Sequence, residues 1–256
     1  MTMELLKIQF ADGIKTISFN RPDKKNPLTP ETMAALGSAL EACLGDGTKV
    51  VILKGEGGNF CSGAMLDPGA LQGGFDVTQY LKEGVNPVVR LMRSLPVPVI
   101  AQVEGVCVGL GFSLALACDL LFAAEGATFS QIFTRIGLAS DGGGAYLLAQ
   151  TVGPRKAFEL ISTNANISAE QAAAWGIANH VMKPEMLNAT VEAMAARLAS
   201  GPSVAIGCVK QNLQANTLDE ALEMEAENQG KCFKTKDFVE GVMAFIQKRS
   251  PQFTGQ

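Results

Sequence analysis

Three short runs in the first half of the chain constrain its fold most. KVVILKG (49–55), PVPVIAQVEG (96–105) and LLFAAEGATFS (120–130) are compact, apolar and rich in β-branched or small residues. Runs of this length without polar alternation read as strands buried on both faces, which is how parallel sheets are made. Helical stretches fill the gaps. Residues 76–94 read as helix, and VCVGLGFSLALACD (106–119) reads as a glycine turn entering an apolar helix. Strand, helix and strand again implies crossover connections for about 130 residues, hence an α/β class.

The flanks are equally legible. LLKIQFADGIKTISFN places two β-like runs around Asp12-Gly13, a hairpin signal. Thr29 before Pro30 reads as an N-cap with proline at the first helical position, and the helix runs to about Leu44. EGGNFCSGAMLDPGALQGG (56–74) is a long glycine-rich loop. From residue 154 onward helices dominate: 154–162, 168–175, 185–200, 202–215, 217–231 and 235–248, with a capping-box start at Ser168-Ala169-Glu170-Gln171. No fixed-period repeat is visible.

Composition narrows the functional class. With 256 residues, 47% of them hydrophobic, the chain can build a generous core, and its net charge of −4 with no basic stripe argues against a nucleic-acid surface. The lysines of KTKDFVEGVMAFIQKR, mixed with acids, read as a solvated helix face. The greasiest stretch, Val97 to Ala124, is broken by Pro98, Glu104 and Asp119, so its uncharged pieces fall short of the ~20 residues of a membrane helix. Six scattered cysteines without a CxxC pair, and one histidine (His180), assemble no metal cluster and suit a reducing cytosol. MTMELLKIQF lacks a basic n-region and a long h-region, so no secretory signal is expected.

Three segments can carry chemistry. Gly109-Leu110-Gly111 follows a strand and enters a helix, but Leu114 stands where a dinucleotide fingerprint needs its third glycine. The turn still offers backbone N–H groups at a helix N-terminus. FCSGAM (60–65) lies in a second glycine-rich loop after a buried strand. Two such loops can converge their amides on one oxygen as an oxyanion hole. The third is Asp141 in GLASDGGGAYLLAQ. Ser140 or Asp141 there is an ordinary N-cap pattern. Three glycines in a first turn are costly for a helix that needs only a cap, and suit a backbone that something must approach closely.

Together these pieces resemble the enoyl-CoA hydratase/isomerase family, the crotonase fold, along nearly the whole chain: ISFNRPDKKNPLT, VVILKGEGGNFCSGAML, PVPVIAQVEGVCVGLGFSLALACDLLFAAEGATFSQIFTRIGLASDGGGAYLL, AFELISTNANISAEQAAAWGIANHV and EGVMAFIQKRSPQF, in that order. The resemblance implies a spiral of ββα units over residues 1–200 and a helical trimerisation region over 201–256. It also implies acyl-CoA thioester as substrate with no separate cofactor, and a cytoplasmic homotrimer or dimer of trimers. Carried over by motif, the oxyanion amides belong to Ala64, with Ser62 and Gly63 before it, and to Leu110, between Gly109 and Gly111. Lys24 and Lys25 match the CoA-binding loop, and Phe245 and Lys248 the C-terminal segment that reaches CoA, in some members the CoA of a neighbouring subunit.

The chain departs from the family where hydratases hold two glutamates. Those positions fall on Ser113 and Phe133. Hydration needs a base for water and an acid for carbon, so two-glutamate hydration is not expected. Ser113 is left as a candidate water or substrate contact, and Phe133 as an apolar wall. Isomerases of the family, including ones acting on phenylacetate-derived CoA esters, place a lone acid where Asp141 stands. The expected activity is isomerisation of 3-enoyl-CoA to 2-enoyl-CoA with Asp141 as single acid/base. The alternatives are ring or epoxide CoA isomerisation, hydration with other acids, and a non-catalytic acyl-CoA-binding module. Glu104, Asp119 and His180 read as structural.

Overall fold

The computed structural model describes residues 4–65 and 75–256. The whole loop tip DPGALQGG (67–74) therefore lies outside the described residues. The class is α/β, as the alternation requires. A six-stranded sheet runs in the order β1-β2-β3-β4-β6-β9, formed by β1 (Leu6–Ala11), β2 (Ile14–Phe19), β3 (Val50–Gly55), β4 (Val99–Val103), β6 (Leu120–Ala124) and β9 (His180–Met182). A second, three-stranded sheet is made of β5 (Val106–Val108), β7 (Thr128–Ser130) and β8 (Ile167–Ser168).

The hairpin forms as expected, because Asp12 and Gly13 both take positive φ, at 52° and 77°, the conformation that matches strand twist in a two-residue turn. Strands β2, β3, β4, β6 and β9 then pair in parallel. The apolar runs are continuous because both faces are covered. Val51 and Leu53 join the larger core, while Val50 and Ile52 join Ile100, Phe122 and the Leu187-Val191-Ala195-Ala199 stripe of α8 (Pro184–Ala199). Fully burying each such aliphatic chain contributes about 1.5–3 kcal/mol.

Two short strands escape periodicity. Val106–Val108 is a strand rather than the start of the glycine turn, and Thr128–Ser130 is a strand rather than a turn. They pair in parallel with each other, and Cys107 also bridges Cys61 in parallel. Each spiral turn thus places one long strand in the large sheet and one short stretch beside the small one. The three short stretches end at Ser62, Gly109 and Gln131, and those ends build the site.

The helices begin with α1 (Pro30–Ala42), capped by the Thr29 side chain. The stretch expected over 76–94 is α2 (Val77–Tyr80) and α3 (Asn86–Ser94), joined through a π-helical turn at Leu81–Val85. Next come α4 (Leu110–Ala117), α5 (Gly144–Val152), α6 (Pro154–Ser162) and α7 (Ala169–Ala174), the last with the capping box from Ser168. After α8 follow α9 (Ser203–Asn212), α10 (Leu218–Cys232) and α11 (Lys236–Gln247). No described helix is long and apolar enough to cross a membrane.

Asp119 is structural. Its carboxylate accepts the Val99 N–H at 2.8 Å and pairs with Lys210 Nζ at 2.8 Å. Lys210 also donates to the carbonyls of Met92 (2.7 Å) and Val97 (3.0 Å). Burial pulls the Lys210 ammonium down more than Asp119 holds it up. Removing one partner from such a buried pair costs about 3–5 kcal/mol, so this contact pins α9 to the sheet.

The C-terminal helices correct one expectation. The stretch read as a solvated charged face exposes Val239, Val242, Met243, Phe245 and Ile246.

Candidate active site

Ala64 and Leu110 are brought side by side by adjacent spiral turns. Cys61 N–H donates to Val106 O at 2.9 Å and Val108 N–H to Cys61 O at 3.0 Å, which lays the two loops in register. Gly63, at φ 90°, then packs so closely that a methyl built on it would stand 3.1 Å from Val108 O and 3.8 Å from Leu110 N. Leu28 N–H donates to Gly63 O and Met65 N–H to Leu28 O, both at 2.8 Å, so the bridge across Ala64 does not use the Ala64 N–H. Leu110 opens α4, and its N–H is among the donors that a helix cannot satisfy internally. Both backbone amides therefore lie where the two loops meet.

Lys24 and Lys25 are exposed on the neighbouring loop. That loop is tied to the Ala64 segment, with Ser62 N–H donating to Lys25 O at 2.8 Å and Ser62 Oγ to Lys24 O at 3.1 Å. Asn26 anchors the loop from inside. It is fully buried at φ 58°, and its Nδ2 donates to Glu56 O (2.8 Å) and Asn59 O (2.7 Å).

Asp141 lies in the turn before α5, which packs against Leu110 and Ser113 of α4. The N-cap reading of Ser140 or Asp141 is overturned, because α5 starts at Gly144 with Gly143 as its cap and no side chain caps it. Asp141 instead closes a tight turn with its backbone. Gly144 N–H donates to Asp141 O at 3.0 Å across Gly142 and Gly143, at φ 58° and 75°. This frees the carboxyl group. Asp141 Oδ1 is buried without a hydrogen-bond partner among the described residues. Burial pushes the carboxyl up from its ordinary 3.8 to about 6, and no charged neighbour contributes. A carboxyl so desolvated is a competent base at neutral pH. The turn leans on α4, since a methyl on Gly142 would come within 2.6 Å of Leu110 Cδ1.

The match to the enoyl-CoA hydratase/isomerase model spans residues 9–256. The chain belongs to that family. A Rhodobacter capsulatus relative named "Probable enoyl-CoA hydratase" is 37% identical, with 100% of each chain covered. The 1,2-epoxyphenylacetyl-CoA isomerase of Escherichia coli K12 is 36% identical over 99% of this chain and 100% of its own. The crystal structure of an enoyl-CoA hydratase from Polaromonas sp. JS666 superposes with a TM-score of 0.90 at 32% identity, covering 97% of this chain and 99% of that one.

Within this crotonase frame the other candidate residues take the following places. Ser113 lies inside the fold. It is 0% exposed, and its hydroxyl donates to Asp141 O at 2.9 Å. Gly111 serves packing, because a methyl there would stand 2.5 Å from both Cβ and Sγ of Cys61. Gly109 gives its own N–H to Ser130 O at 2.9 Å and acts by orienting the next peptide. Phe133 is buried, with its ring end 3.9 Å from a methyl built on Gly109. Phe245 and Lys248 stand apart from this cluster. Phe245 is 86% exposed and lines a groove of about 370 Å³ with Pro202, Phe238, Val242 and Phe253, and Lys248 ends α11 in the left-handed conformation.

Two contributors escaped the sequence reading. Gln131, 1% exposed, lies within contact of Ser113 and Ser140. Tyr80, half-buried, has its phenol pushed up first by burial, then by the charges of Asp141 and Glu31. The one signal for Gln131 was a polar residue at the end of the buried run TFS. Tyr80 gave none, because its helical stretch looked like plain scaffold.

Proposed function

We propose that the protein isomerises an unsaturated acyl-CoA, moving the double bond of a 3-enoyl-CoA into conjugation with Asp141 as the only acid/base. The observation that carries this is Asp141 Oδ1, buried without a hydrogen-bond partner among the described residues in a turn that packs against Leu110, with serine and phenylalanine where the family resemblance puts the hydratase glutamates. Asp141 removes a C2 proton, and the C–H electrons pass through the carbonyl to the thioester oxygen. The N–H groups of Ala64 and Leu110 stabilise the dienolate oxygen where charge develops. The protonated Asp141 then delivers its proton to C4, leaving the double bond between C2 and C3. The cycle is redox-neutral, adds no water, and uses coenzyme A only as part of the substrate. Lys24 and Lys25 supply positive charge for the CoA phosphates.

The Escherichia coli relative's name favours a second reading, isomerisation of an epoxide- or ring-bearing acyl-CoA. Purified protein offered a 3-enoyl-CoA, a 2-enoyl-CoA in water and an aryl-epoxide CoA ester separates the cases. Conjugated thioester from the first supports the proposal. Turnover of the third alone supports the second reading. Hydration of the 2-enoyl thioester, or tight binding without any turnover, overturns both.

The pH dependence follows from the same group. The base must be ionised, so kcat/KM is expected to fall about tenfold per unit below pH 6 and to level off above it. A profile flat from pH 5 to 8 contradicts Asp141 as base.

The exposed apolar side chains Phe158, Leu213, Leu218, Phe233 and Ile246 support assembly as a homotrimer or a dimer of trimers. Light scattering is expected to give three or six times the 26.9 kDa chain mass. A monomer at micromolar concentration argues against it.

A further inference from the structure

We propose that Ser113, Gln131 and Ser140 are positioning residues: a one-way hydrogen-bond chain that fixes the Asp141 peptide against the oxyanion helix while offering its carboxyl group no donor. The inference rests on Asp141 being the acid/base.

The protons of the chain run in one direction. Ser140 Oγ donates to Gln131 Oε1 (3.4 Å), Gln131 Nε2 donates to Ser113 Oγ (3.4 Å), and Ser113 Oγ donates to Asp141 O (2.9 Å). Ser113 has one hydroxyl proton, and its acceptors are backbone carbonyls, Asp141 O at 2.9 Å and the more distant Gly109 O at 3.4 Å. The proton is therefore withheld from the carboxylate and from any bound thioester. Gln131 is oriented at both ends of its amide, which is what a buried amide requires. No link of the chain donates to Asp141 Oδ1, which has no hydrogen-bond partner among the described residues.

The chain also sets a distance. Ser113 lies one helical turn after Leu110 on α4, so the two share a face. Tying the Asp141 peptide to Ser113 ties the base to the Leu110 amide through one rigid turn. Gly144 closes the arrangement from the other side. A methyl there would lie 2.3 Å from Ser113 Oγ, 2.6 Å from Gln131 Nε2 and 3.0 Å from Ser140 Oγ. Three elements thus meet with no room to spare: α4, the end of the third short strand, and the start of α5. Tyr80 is the ionisable side chain coupled to Asp141. It is not part of the chain.

The test is Ser113→Ala, with Gln131→Met as a second variant should the first fold poorly. Asp141 is titrated by ¹³C NMR, with Asp141→Asn for assignment. Loss of the tether lets water or a stray amide reach the carboxyl, so its midpoint is expected to drop by half a unit or more in either variant. kcat on the turned-over thioester is expected to fall about 10–100-fold, with affinity for a saturated acyl-CoA unchanged within twofold. A lower melting temperature with an unmoved Asp141 midpoint overturns the proposal and leaves the chain as mere packing. The titration needs no turnover. A chain that moves the midpoint in a protein inactive on every thioester means that the functional reading has failed and the positioning has not.

Discussion

Asp141→Asn is expected to lower kcat on 3-enoyl-CoA by about 10³-fold while making the folded protein more stable at neutral pH. The activity loss follows from removing the carboxyl that the proposed mechanism uses to carry a proton between two carbons, a role worth about 10²–10⁴-fold when one side chain supplies it. The stability gain follows from the opposite face of the same fact. The folded carboxyl titrates at about 6 against an ordinary 3.8, so the native state holds this proton more tightly than the unfolded chain does. Stability from this group is complete below its ordinary value and is lost as pH rises through 6. Above that, the wild type keeps a desolvated, unpaired anion, which is expensive. Asparagine keeps the shape and drops the charge. The melting temperature of the variant should match wild type near pH 4 and exceed it by a few degrees at pH 8. A variant that keeps more than a tenth of wild-type kcat would remove Asp141 from the chemistry.

This pairing of lost activity with gained stability separates a catalytic carboxyl from a capping one. Had Asp141 capped α5, its removal would cost about 1 kcal/mol and leave the chemistry alone. The local string could not distinguish these cases, because SDGGG satisfies both patterns. What decided was whether Gly142 and Gly143 continued the helix or turned out of it, and their positive φ values show that they turn out.

Elements legible in the sequence were those whose determinants are local. Asp12-Gly13, Thr29-Pro30 and Ser168 through Gln171 each specify a turn or cap within four residues, and each forms. Val106–Val108 and Thr128–Ser130 did not read as strands, because three residues hold too little periodicity. They exist only through pairing across spiral turns. The amides of Ala64 and Leu110 were traceable by motif, since glycine marks close backbone approach. The role of Ser113 was not, because a serine in an apolar helix carries no sign of which carbonyl it will meet. Likewise, nothing local told Phe245 on α11 from a helix-core residue, and its exposure depends on what packs around it.

Gly109→Ala should abolish most activity through a single peptide. Gly109 sits at φ 56° and ψ −130°, a region that residues with a Cβ almost never occupy. Space is not the obstacle, since the nearest atoms to an added methyl are Gly63 Cα and Ile132 Cγ1, both at an ordinary 3.7 Å. The obstacle is torsional, about 1–3 kcal/mol, and the chain relieves it by rotating about Gly109. That rotation swings the Leu110 N–H, because ψ of residue 109 sets the plane of the peptide that carries it. Losing one oxyanion donor costs about 10²–10³ in kcat, and the expected loss lies there, with affinity for a saturated acyl-CoA nearly unchanged. Gly111→Ala is the contrast. Its methyl collides with Cys61 at 2.5 Å while its torsions permit alanine, so it should cost folding stability first. Wild-type turnover in a folded Gly109→Ala protein would mean that the Leu110 amide does not hold the developing charge. Ala64 N–H alone would then have to bear it, and adjacent spiral turns would have no catalytic reason to meet at these glycines.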